Sequence, residues 1–195
     1  MLSSRRQRGD TIIEVLLAVT VFSMLAIGAL VVMNSGNATA QRALEISLVR
    51  HEIDSQAEII RFVHSQYIAG TSPVATAMWE DMTATPGLTW GANGLDGDQC
   101  PDLATVAPSA GMFVVNPATT TLVVDPTRFS RAQVYSRVIN DPSNVRVEGL
   151  WVQSFHEPAS SGTPGYVDFY IRACWNTVGQ TAPMTLGTIV RLYEP

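Results

Sequence analysis

The chain has no lysine: all 12 of its basic residues are arginines, and they are outnumbered by 17 acidic ones. A formal net charge of −5 excludes the basic footprint that a phosphate backbone requires, so no nucleic-acid partner is expected. Cysteine is scarce too. The two present, Cys100 and Cys174, are too far apart for a zinc ribbon or a redox Cys-x-x-Cys pair. In an exported domain they read as one long-range disulfide, with free buried thiols as the alternative. There are three histidines, His51, His64 and His156. The first two lie 13 residues apart, too far to share a metal, and all three read as helix-surface or sheet-edge residues. His-Glu-x-x-His, Gly-x-Ser-x-Gly and phosphate-loop patterns are absent, so neither catalysis nor a cofactor is expected. Trp79, Trp90, Trp151 and Trp175 read as core or loop anchors before they read as a ligand platform.

What the chain does have is concentrated at its start. Arg5, Arg6 and Arg8 precede Gly9, and residues 11–33 then form an apolar run interrupted by Glu14 and a few hydroxyls. About 20 residues at 1.5 Å rise span a hydrocarbon core, so the run is long enough to cross a membrane. The arginines on its amino side hold that end in the cytoplasm and send the rest across. A secretory signal peptide would have a shorter apolar core and an Ala-x-Ala-like cut site; Ser35-Gly36-Asn37-Ala38 is a poor one. A plain signal anchor has no need of an acid inside its span, where a charge costs about 2.5 to 3.5 kcal/mol near the helix centre and less toward its ends. A retained intramembrane charge calls for a partner.

Residues 5–33 resemble the type IV prepilin leader and its following segment. The shared features are a short basic peptide ending in Gly9, an apolar helix beginning at the next residue, and an acid, Glu14, at the fifth mature position within Ile13-Glu14-Val15-Leu16-Leu17-Ala18. The resemblance implies cleavage between Gly9 and Asp10 by a prepilin peptidase, with Asp10 as the candidate for N-methylation. It departs from the family at Asp10 itself, since pilins usually begin with Phe or Met. Removing the leader takes away three arginines, and the side-chain charge becomes −8. It also frees an α-ammonium at Asp10 that a neighbouring subunit's Glu14 can meet, an interaction far stronger in low dielectric than in water. The implied partners are other pilin subunits, the peptidase, the assembly platform and the membrane. The implied location is the inner (cytoplasmic) membrane, single-pass with the amino end cytoplasmic, followed by an extracellular pilus or the cell surface.

The remainder divides into an amphipathic half-helix, 34–69, and a globular part, 70–195. Ile46, Val49, Ile53, Ala57, Ile60, Val63 and Tyr67 recur at spacings of three and four and form one apolar stripe. Arg42, Glu45, Glu52, Asp54, Glu58 and Arg61 are expected mostly off it, with Glu58–Arg61 and Arg50–Asp54 as surface pairs. No proline interrupts the helix, so Gly28 and Asn34-Ser35-Gly36-Asn37 are its expected weak points. Gly70-Thr71-Ser72-Pro73 ends it. Residues 70–110 read as irregular, with a short helix near Thr76–Met82. Residues 111–195 read as antiparallel sheet: a hairpin from Met112–Asn116 and Thr121–Asp125, then strands over Asn144–His156, Tyr166–Asn176 and Thr185–Tyr193. Asp96, Asp98 and Asp102 are a calcium candidate without the bidentate Glu of an EF-hand, and the loop reads first as a solvated turn.

The expected fold class is α+β, a long N-terminal helix packed on a C-terminal antiparallel β-sheet, as in pilins. The expected function is that of a type IV pilus structural subunit, more minor pilin than major. The alternatives are a pseudopilin of a secretion or DNA-uptake system and a non-assembling, membrane-anchored adhesin or binding protein.

Overall fold

The computed structural model describes residues 10–84, 100–104, 111–141 and 144–194. It is an α+β chain. Helix α1 spans Asp10–Ala69 and α2 spans Pro73–Ala84. Among the described residues eight strands follow: β1 (Val114–Asn116), β2 (Thr121–Val123), β3 (Phe129–Ser130), β4 (Arg137–Ile139), β5 (Arg146–Glu148), β6 (Leu150–Glu157), β7 (Tyr166–Trp175) and β8 (Met184–Tyr193). The chain divides into two compact units, one ending at Ala43 and the other beginning at Leu44. Helix α1 continues without a break through Gly28 and through Asn34-Ser35-Gly36-Asn37, the positions expected to be weak.

The helix ends where a left-handed residue is supplied. Gly70 has φ +61°, its N–H donates to the Tyr67 carbonyl at 3.0 Å, and Thr71 N–H reaches the Gln66 carbonyl at 3.4 Å. This is the paired 5→2 and 6→1 pattern of a Schellman stop. Ser72 then caps α2, its hydroxyl accepting from Ala75 N–H at 3.3 Å, with Pro73 as the first helical residue. Ala75, Met78, Trp79 and Met82, at i, i+3, i+4 and i+7, form the buried face of α2. The short helix expected near Thr76–Met82 is therefore present and longer at both ends.

In the second unit the apolar stripe of α1 meets the sheets in one core. Val49, Ile53, Ala57, Ile60 and Val63 are buried, with Ile46 and Tyr67 packed at its margin. Opposite them lie Val167, Phe169, Ile171, Ala173 and Trp175, the alternating set of β7. Trp79 joins the elements, 5.4 Å from the Tyr67 ring and 5.6 Å from Phe169. The C-terminal meander is present as β6-β7-β8, antiparallel throughout. The β1–β2 hairpin also forms in the expected place.

Two expectations need correction. The described residues from 111 onward form three small sheets rather than one, and β3 pairs with β5 in parallel. The strand expected over Asn144–His156 is broken at Gly149 into β5 and β6, which belong to different sheets. Gly149 has φ +62°; its N–H donates to the Ser130 carbonyl and its carbonyl accepts from Cys174 N–H, both at 2.8 Å. No proline or longer turn signal separates Val147 from Leu150, so only the glycine marks the change of sheet.

Candidate assembly helix

From Ile12 to Met33 the large apolar side chains of α1 are exposed, Phe22 at 73% and Leu25 at 68%. About 22 residues at 1.5 Å rise give about 33 Å of helix, the thickness of a bilayer's hydrocarbon core. This segment is long and apolar enough to cross a membrane, and its most apolar window has no buried residue. The polar atoms inside it are provided for locally: Thr20 Oγ1 donates to the Leu17 carbonyl at 2.8 Å and Ser23 Oγ to the Val19 carbonyl at 2.7 Å. Those hydroxyls therefore present no unpaired donor to a lipid surface. An apolar surface of this extent is untenable in water and requires either lipid or another protein to cover it.

Glu14 stands in that surface, exposed, on the first turns of the helix, and it is the one ionisable side chain between Ile12 and Gln41. Gly9 and the side chain of Asp10 lie outside the described residues, so the expected cleavage site is not part of the described geometry.

In the second unit α1 carries a polar seam that sequence reasoning missed. Glu45, expected on the solvent side, is buried and accepts from Trp175 Nε1 at 3.1 Å. Glu52 accepts from Val138 N–H at 3.4 Å, and burial holds its carboxyl above the usual range, against the opposing pull of that N–H. Gln56 is fully buried and pairs with one strand residue like a neighbouring strand: its Nε2 donates to the Val115 carbonyl at 2.7 Å and its Oε1 accepts from Val115 N–H at 2.9 Å. At 100° per residue, positions 45, 52, 56 and 63 fall within a 40° arc. Their shared phase with Val63 was the available signal. Of the expected surface pairs, Glu58–Arg61 forms at 2.6 Å between exposed side chains and Arg50–Asp54 does not.

The remaining candidates take structural places. Cys100 and Cys174 are disulfide-bonded with Cα atoms 5.5 Å apart, and both are buried. Trp79, Trp151 and Trp175 are buried anchors; Trp90 lies outside the described residues. His51 is exposed, the His64 ring lies tilted against Trp79 with centroids 4.7 Å apart, and His156 pairs with Glu194 at 3.0 Å. Asp96 and Asp98 lie outside the described residues, and among the described residues no three His, Cys, Asp or Glu side chains converge on a metal position, Asp102 included. No family model, no curated protein and no solved structure matches this chain.

Proposed function

We propose that this chain is a type IV pilin-like structural subunit, cut after Gly9 and assembled through the apolar half of α1 into a surface filament, with a minor-pilin or pseudopilin role. The observation that carries the reading is Glu14: a lone carboxylate on a fully exposed apolar helix, five residues from the arginine-Gly9 leader. In a membrane or a bundle of such helices an unpaired carboxylate is penalised, and a neighbour's terminal ammonium removes the penalty. The charge therefore acts as a register device, since only one axial stagger pairs it. The role is structural, and the partners are further subunits, the processing peptidase and the assembly platform.

The experiment is Glu14→Ala in the native host, with Glu14→Gln beside it. A filament subunit with either change stays in the membrane, is processed, and is lost from sheared surface filaments. A non-assembling anchored protein reaches the surface unchanged in both variants, and that outcome would refute the proposal.

A further inference from the structure

Strand β8 is the outer strand of the β6-β7-β8 sheet, and no described residue pairs with its far side. One bond fixes which of its backbone groups are free. Glu194 N–H donates to the Gly165 carbonyl at 2.9 Å, so residues 184, 186, 188, 190 and 192 turn their backbone groups toward β7. Residues 185, 187, 189, 191 and 193 turn theirs outward. The Tyr193 carbonyl is taken by His64 Nε2 at 3.0 Å. Among the described residues nothing takes the backbone groups of Thr185, Gly187, Ile189 and Arg191, an edge carrying four N–H and four C=O groups.

Among the described residues the devices that normally blunt such an edge are missing. The strand runs ten residues without a proline or a break in register. Its one charge, Arg191, is folded back on its own sheet, donating to both Asp168 oxygens at 2.7 Å with its guanidinium 4.0 Å from the Tyr166 ring centre. Ile189 is left 56% exposed beside Gly187. Gly187 cannot carry a side chain without displacing the sheet, because a Cβ there would lie 2.9 Å from the Ile171 carbonyl oxygen.

This edge is complementary to itself in one register. With a two-fold axis at Thr188, Gly187 pairs with Ile189 and Thr185 with Arg191 of the second copy, so all four free residues are used. Each Ile189 then lies beside the second copy's Gly187, where no side chain obstructs it. An axis at Gly187 sets Arg191 against Pro183, which has no N–H. An axis at Ile189 sets Thr185 against Tyr193, whose carbonyl is already engaged.

The direction of α1 within the second unit fixes the end of the sheet from which each chain enters it. Glu45 meets Trp175, which pairs with Met184 at the start of β8, and His64 meets Tyr193 at its end. The second half of α1 therefore runs in the same direction as β8. The axis of an antiparallel edge pairing is normal to the sheet and reverses both. The two chains then enter the joined sheet, at Leu44, from opposite ends.

We infer that β8 is a homophilic adhesion edge, joining copies of this chain that stand on opposing surfaces through an antiparallel six-stranded sheet. The inference rests on the membrane-anchored reading of the N-terminal helix. A strand edge alone buries less than the ~1,000 Å² of a stable interface, so each contact is weak and adhesion depends on many copies facing one another.

The test uses the full-length chain in two vesicle populations bearing different epitope tags, with incorporation verified by flotation, so that failure to anchor is separated from failure to pair. Both native cysteines are in the disulfide, so an introduced thiol is the one available for coupling. Thr188→Cys places two thiols across the axis at a non-hydrogen-bonded pair, with Cα atoms about 4.5 Å apart and within disulfide reach. Oxidation of mixed vesicles is expected to give dimers of which about half carry both tags. Thr185→Cys, whose counterpart is Arg191, is expected to stay at background. Vesicle clustering is expected with the native chain and lost with Ile189→Lys. Same-tag dimers alone, equal coupling at 185 and 188, no coupling in floated vesicles, or clustering unchanged by Ile189→Lys would each overturn the inference.

Discussion

Replacing Gly149 with alanine tests the junction between the two three-stranded sheets. Two costs combine there. The first is conformational: φ +62° is left-handed, and an L-residue in that region costs roughly 1 to 2 kcal/mol. The second is steric: a Cβ would press into the Cys174 carbonyl oxygen and lie 2.8 Å from both Ala132 Cβ and Ser136 Oγ. None of these is the far end of a long flexible side chain, and Ser136 Oγ is held by its own bond to the Cys174 carbonyl at 3.1 Å. Overpacking of this kind costs roughly 1 to 3 kcal/mol. The expected loss for Gly149→Ala is therefore about 2 to 5 kcal/mol. Gly179→Ala separates the terms, since Gly179 has φ +77° and nothing within 4 Å of its Cβ position. It should lose about 1 to 2 kcal/mol. The assay is urea unfolding of detergent-solubilised chain followed by tryptophan fluorescence. Equal losses for the two variants, or a loss under 1 kcal/mol at Gly149, would refute the steric argument.

Four further outcomes follow from the second unit. Gln56→Ala leaves the buried N–H and carbonyl of Val115 unpaired and should cost roughly 2 to 4 kcal/mol, read by the same unfolding assay. Thr120 sits at φ +51° in the β1–β2 loop, so Thr120→Gly should raise stability by a few tenths to about 1 kcal/mol, a net of relieved strain and added unfolded-state entropy. Burial raises the Glu52 pKa above 4.5, so the folded state takes up the proton first and stability falls as pH rises through that window. Glu52→Gln should accordingly raise Tm at pH 7, with the gain shrinking as pH falls through the raised folded value and gone once pH reaches about 4.5. Reducing Cys100–Cys174, which closes a separation of 74 residues, should cost about 4 kcal/mol by loop entropy, measured as the unfolding midpoint with and without reductant.

Elements with a strong local pattern were legible in advance. The period-two set from Val167 to Trp175 gave β7, the three-and-four spacing from Val49 to Val63 gave the buried face of α1, and Gly70 with Ser72 and Pro73 marked the end of one helix and the cap of the next. What escaped had a non-local cause. Glu45 reads as a surface residue until Trp175, 130 positions away, supplies a donor. Gln56 reads as a neutral helix former until Val115 needs an edge partner. The break at Gly149 is invisible to periodicity because Val147, Glu148, Leu150 and Trp151 on either side of it are all buried, and the change of sheet is set by close approach to Cys174. The candidate site behaves in the reverse way: Glu14 and its apolar surroundings are a one-dimensional pattern, legible in full, whereas the partner proposed for Glu14 would belong to another molecule.

Whether Glu14 is the fifth residue of a processed assembly subunit is read from the mature N-terminus. Intact-mass and N-terminal peptide analysis of the chain from native membranes should find it beginning at Asp10, with or without one methyl group on the terminal amine. A chain beginning at Met1, or cut beyond Asn34 so that Glu14 is lost, would contradict the account.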